Sequence, residues 1–225
     1  MNRFKDISKY RKSFDIVTNS IHYPIASYIC TILSYTKITP NGITSLAILA
    51  ELLAIYLIMF DFVNYAIPIV ILLQFGWIFD LMDGMMARYK KIGYYDSVKS
   101  SNKGYYLDAV SDHVLKFVII GALGYELSKN HEFGWEIAIL SLIIHGIVQT
   151  EHTLRKMITN VQDHTHQTIP KNDFINHIVL LMNNIYLFYL IFIPINRIDL
   201  LLIIFVGFET ILLFKRIILF WISEK

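Results

Sequence analysis

Apolar positions along this chain fall in long runs rather than in strict alternation. Six stretches each offer close to the ~20 mostly apolar residues a helix needs to cross a bilayer: residues 42–60, 62–82, 105–127, 133–154, 174–195 and 198–221. The outer links expected between them are short, Asp61 alone after the first and a corner at residues 194–197 before the last, which leaves no room for a soluble domain. Pro40, Pro68, Pro170 and Pro194 sit near segment ends, where a missing N–H is best tolerated. Ahead of the first run, Ile21, Ile25, Tyr28, Ile29, Ile32 and Leu33 recur at helical spacing on one side of residues 21–35. That segment is too short to cross comfortably and reads as a helix lying in the membrane interface, with a short seventh span as the alternative. The first 20 residues are polar and basic and lack the apolar core of a signal peptide. The pattern therefore predicts an all-α integral membrane bundle: a cytoplasmic N-terminal segment and interfacial helix over residues 1–41, then six transmembrane helices over 42–225.

Composition agrees. Of 225 residues, 55% are hydrophobic and 17% charged, against about 25% charged in ordinary soluble domains. Cys30 is the single cysteine, which excludes a disulfide framework and a thiolate metal cluster. A net charge of +2 gives no reason to expect nucleic acid as a partner. The distribution of charge says more than its sum. With the N-terminus inside, the inner segments hold seventeen Lys and Arg, the outer links hold Lys129 and Arg197, and Lys116 lies within a span. By the positive-inside rule both termini face the cytoplasm.

Four carboxylates interrupt the apolar runs. Asp80 and Asp83 lie near the inner end of the second span, Asp108 and Asp112 near the inner start of the third. Spacings of three and four put each pair on one helix face. With Arg88 and Gly104 taken as level, Asp80 and Asp112 lie at matching depths, roughly 12 Å along their helices, and Asp83 and Asp108 roughly 6–8 Å. A charge in a membrane costs at least about 2.5–3.5 kcal/mol, and four carboxylates cannot all ionise together without positive charge among them. Two divalent cations would balance them; oxygen-only ligation suits Mg²⁺ or Mn²⁺, and a two-metal clamp suits displacement at phosphorus. Protonated or hydrogen-bonded acids in an aqueous cleft, as in an ion-coupled transporter, are the other reading of the acids alone. Gly84, Ala87 and Gly104 leave room for a ligand beside the backbone, and the Arg88 fork suits phosphate oxygens.

Read together, Asp80-Leu81-Met82-Asp83-Gly84-Met85-Met86-Ala87-Arg88 and Gly104-Tyr105-Tyr106-Leu107-Asp108-Ala109-Val110-Ser111-Asp112 resemble the signature of the CDP-alcohol phosphotransferase (CDP-alcohol phosphatidyltransferase) family. The Pro40-Asn41-Gly42-Ile43-Thr44 start of the first span is similar too. The chain departs from the pattern in its spacer: fifteen residues, 89–103, separate Arg88 from Gly104, about twice the usual number. A longer polar loop is thermodynamically mild.

The resemblance implies a transferase of phospholipid biosynthesis that moves a phosphatidyl or other substituted phosphoryl group from a CDP-alcohol to an acceptor hydroxyl, releasing CMP. It implies that Asp80, Asp83, Asp108 and Asp112 hold two divalent ions, Mg or Mn, with Asp112 also the general base. Asp80, Gly84, Ala87, Arg88 and Gly104 would bind the CDP-alcohol, for which CDP-diacylglycerol is the natural choice beside membrane lipid. It also implies a homodimer. A Mg-dependent membrane prenyltransferase and an ion-coupled transporter are the rivals; the first usually sets its aspartate motifs far apart in the chain. Arg155, closing the fourth span, is a candidate for binding a phosphate on the acceptor. Lys116, near mid-membrane, is expected to pair with Glu51 or Glu209, because an unpaired charge there would be neutralised. His145, His152, His164, His166, His177, Asn183 and Asn184 are assigned to no metal site.

Overall fold

The computed structural model describes residues 3–12, 14–96, 101–159, 181 and 184–223, and every regular element among them is helical. In chain order these are α1 (Arg3–Ser8), a π-helical turn (Thr18–His22) leading into α2 (Tyr23–Leu33), α3 (Pro40–Asp61), α4 (Ala66–Lys90), a 3₁₀ turn (Gly93–Tyr95), α5 (Lys103–Ser128), α6 (Gly134–Thr159), α7 (Ile185–Phe192) and α8 (Ile198–Ser223). The chain divides into two compact units, Met1–Ile119 and Ile120–Lys225, with the boundary inside α5.

In the first unit α3 and α4 form the main hairpin. Thr39 starts α3 in extended backbone, its side chain accepting from Gly42 N at 3.2 Å, with Pro40 at the first helical position. Such a cap contributes about 1 kcal/mol. The link to α4 is a four-residue turn rather than Asp61 alone, because one residue cannot reverse two helices. Asp61 closes it by accepting from Asn64 N and Nδ2 at 3.3 and 2.8 Å. α4 continues well past residue 82, through the polar motif to Lys90, and ends on Lys91 in the left-handed region (φ 51°), with Ile92 N bonded to Ala87 O at 3.0 Å. α2 lays its small buried face, Ala26, Ser27 and Cys30 with Tyr23, against α4; Cys30 Sγ reaches Met82 O at 3.6 Å. Its other side exposes Ile25, Tyr28 and Ile32, and Ile21 just ahead of it is exposed as well.

The second unit is built on packing of α6 against α8, with α7 also against α8. The corner before α8 places Asn196 at φ 54°, and Arg197 grips Asp199 through two bonds of 2.9 and 2.8 Å.

α3, α4 and α6 are long and apolar enough to cross a membrane. α5 and α8 are as long, 26 residues each, and coincide with the expected spans 105–127 and 198–221. Every 18-residue stretch of either carries at least three charged side chains. Of the expected span 174–195, residues 174–180, 182 and 183 lie outside the described residues, and α7 (Ile185–Phe192) falls in its second half.

Candidate active site

The helical period brings the acidic motif to one place. α4 presents Asp80 and α5 presents Asp108 and Asp112, and one carboxylate oxygen from each lies within 4.8 Å of the others. At an effective dielectric near 20, two unit negative charges at that separation repel by about 3.5 kcal/mol. Three such charges therefore need a counter-charge. Lys116, one turn beyond Asp112, puts Nζ 3.6 Å from Asp112 Oδ2 and supplies a single positive charge. Asp108 Oδ1 is buried without a hydrogen-bond partner. All the donors are oxygens, they converge, and one is left without a hydrogen: this set fits a hard divalent cation.

Asp83, one turn further along α4, stands outside that three-way group but interacts electrostatically with Asp108 and Asp112. It is buried and accepts a hydrogen bond from Thr44 Oγ1 of α3. A narrow cleft beside the acids is lined on the α3 side by Thr44, Ala47, Ile48 and Glu51, and on the α5 side by Ser111 and Leu115. Thr44, Ala47, Ile48 and Glu51 share one helical face. Sequence reasoning quoted Thr44 within a motif but gave it no role; its offsets of three, four and seven to Ala47, Ile48 and Glu51 were the available signal.

The small residues of the motif do what close approach requires. A Cβ at Gly104 would lie 2.8 Å from Asn41 Oδ1, so a side chain there would push the Asn41 amide aside where the start of α5 meets the start of α3. A Cβ at Gly84 would lie 3.3 Å from Arg88 Nη1, so the bare backbone makes room for the guanidinium. Arg88 Nε donates to Tyr10 O at 3.0 Å. Ala87 is half-buried beside it on α4.

Of the two expected partners of Lys116, Glu51 does act on it electrostatically; Asp112, in an ion pair with it, is a further and stronger partner. Glu209 instead pairs with His145 Nδ1 at 2.7 Å, both side chains buried between α8 and α6. Arg155 lies in the second unit, where its Nε is 3.3 Å from Glu151, whose other oxygen is 3.8 Å from Arg216. His164, His166, His177 and Asn183 lie outside the described residues.

No curated protein sequence matches the chain. Residues 37–222, which include every position of the acidic motif, match the family described as CDP-alcohol phosphatidyltransferase. With most of its length accounted for in this way, the chain belongs to the CDP-alcohol phosphatidyltransferase family, membrane transferases that use CDP-alcohol donors and alcohol acceptors and typically depend on a divalent metal.

Proposed function

We propose that this protein transfers a phosphatidyl or related substituted phosphoryl group from a CDP-alcohol, with CDP-diacylglycerol as the donor, to an acceptor hydroxyl, releasing CMP, as a step of phospholipid synthesis. The observation that carries the reading is the convergence of Asp80, Asp108 and Asp112 within 4.8 Å beside Arg88's helix, in a chain of this family. Asp80, Asp83, Asp108 and Asp112 hold two divalent ions, Mg²⁺ or Mn²⁺. Divalent ions held by these carboxylates would supply positive charge at the donor's diphosphate, where displacement at phosphorus needs it. The guanidinium of Arg88 pairs with the diphosphate oxygens, and Gly84, Ala87 and Gly104 let the donor lie against bare backbone. Asp112 takes the proton of the acceptor hydroxyl as its oxygen bonds to the phosphorus of the transferred group. The bond from that phosphorus to the CMP phosphate breaks, and CMP leaves with the electron pair. Lys116, one turn further along α5, holds Asp112 in place through their 3.6 Å ion pair. Arg155 binds a phosphate on the acceptor.

The same reading sets the protein in the membrane as six spans over residues 42–225, with residues 1–41 and the α2 helix along the cytoplasmic interface. Both termini are cytoplasmic and the chain pairs as a homodimer. The exposed apolar side of α2 supports the interfacial placement, and the excess of basic residues on the inner segments supports the orientation.

The test is CMP release from CDP-diacylglycerol by purified protein, screened over glycerol phosphate, serine, inositol phosphate and sugar acceptors, with Mg²⁺ or Mn²⁺ and then with chelator. Metal-dependent CMP release that is lost in Asp112→Asn supports the reading. Failure to release CMP with every acceptor, together with diphosphate release from a prenyl diphosphate or proton-coupled uptake, would replace it with one of the rival activities.

A further inference from the structure

The segment ahead of the family match is fastened to the site. Tyr10 O accepts the Arg88 Nε hydrogen bond at 3.0 Å, and the Tyr10 ring meets Tyr89 edge-on at 6.2 Å. Arg11 Nε donates to Ser27 Oγ on α2 at 2.8 Å. Lys12 N donates to the hydroxyl of the buried Tyr23 at 3.0 Å. Phe14 packs edge-on to Trp77 of α4, with ring centroids 5.5 Å apart. Burial pushes the Tyr23 hydroxyl up to about 12, so at neutral pH it is an uncharged acceptor for Lys12 N. A loose basic tail attracted to lipid headgroups would have no need of these separate attachments to α2 and α4.

What this strap borders is the carboxylate group. Tyr23 interacts electrostatically with both Arg88 and Asp80, and the exposed ammonium of Lys12 acts on Asp108. Arg88 has five N–H donors in a fixed fork. With Nε committed to Tyr10 O, its Nη1 and Nη2 lie over Gly84. The carbonyl thus sets which edge of the guanidinium is free for phosphate. Lys12, two residues on, brings a second cation to the same mouth, where a flexible ammonium suits a phosphate as a point charge.

We propose that residues 10–12 form a wall of the donor site, with the Tyr10 carbonyl as a positioning group for Arg88 and Lys12 as a further cation for the donor's diphosphate. This rests on the CDP-alcohol reading above and adds to it residues that precede the family match, which begins at residue 37.

Full-length protein in detergent with Mg²⁺ is titrated with CDP, and with cytidine as a comparator that lacks phosphate. Lys12→Gln weakens CDP binding roughly tenfold or more, the size of a lost charge-assisted contact, and leaves cytidine unchanged. Lys12→Arg retains most of the affinity for CDP. Tyr23→Phe, which frees the backbone at Lys12 while keeping the ring, weakens CDP binding by about two- to tenfold. A Lys12→Gln protein that binds CDP as the unaltered protein does, or that loses CDP and cytidine in equal proportion, overturns the inference and leaves the family reading intact. An unaltered protein that binds no CDP overturns the nucleotide reading, and the inference with it.

Discussion

Replacing Asp108 by Asn should make the metal-free protein more stable, although it removes a residue central to function. Asp108 shares the 4.8 Å group with Asp80 and Asp112. At an effective dielectric near 20, each of its two repulsions is about 3.5 kcal/mol. Lys116 offsets charge at Asp112, not at Asp108, and proton uptake or stray cations dissipate part of the remainder. A net gain of about 1–3 kcal/mol is therefore expected without metal, which for a protein of this size is a rise in Tm of about 2–12 °C. Saturating Mg²⁺ should act the opposite way on the two proteins. At one hundred times Kd it adds about 2.7 kcal/mol to the unaltered protein and little to Asp108→Asn, so the order of the two Tm values narrows or inverts. The assay is thermal unfolding in one detergent at pH 8, with chelator and then with Mg²⁺. A lower metal-free Tm in Asp108→Asn combined with an undiminished Mg²⁺ shift would refute the reasoning, because the acids would then be stabilising one another through hydrogen bonds.

Three other expectations follow from individual contacts. Thr44→Val removes the hydroxyl that donates to Asp83 and leaves a buried carboxylate short of a partner; about 1–3 kcal/mol of stability should be lost, with a weaker Mg²⁺ shift, read by the same melts, whereas Thr44→Ser should restore both. His22 is buried with Nε2 3.0 Å from Gln74 Oε1, and burial holds its protonation below the ordinary 6.5. The unfolded chain then takes up more protons as pH falls through 6.5, so stability drops in that window, and the Tm loss between pH 8 and pH 5.5 should be smaller in His22→Gln. If Arg155 contacts an acceptor phosphate, Arg155→Ala should raise the acceptor KM more than the donor KM in CMP-release assays; equal effects would assign it to its Glu151–Arg216 cluster alone.

Much of this was legible in the sequence because helical period and apolar run length are strong signals. Residues 42–60 became α3, lengthened at its start by the Thr39 cap and Pro40. The stripe at Ile21, Ile25, Tyr28 and Ile32 became the exposed side of the turn and helix ending at Leu33. Apolarity stops at residue 82, yet backbone hydrogen bonding carries α4 on through Asp83 and Arg88 to Lys90. Hydropathy reports the solvent preference of side chains and not where a helix ends. The meeting of Asp80 with Asp108 and Asp112 followed from depth along two antiparallel helices. The four-residue spacing of Asp112 and Lys116 marked that pair as neighbours on one helix face, whereas Glu51 comes from another helix and its distance from Lys116 depends on how α3 packs. Tyr10 was invisible for another reason: its contribution is a backbone carbonyl, which every residue type possesses.

The proposed transfer depends on divalent ions held by the α4 and α5 acids, and manganese reports them directly. Electron paramagnetic resonance on purified protein titrated with Mn²⁺ should count two bound ions per chain, close enough to show coupling, with Mg²⁺ competing and with binding lost or halved in Asp80→Asn. Two uncoupled ions, or stoichiometric binding that persists when Asp80, Asp108 and Asp112 are all changed to Asn, would contradict it.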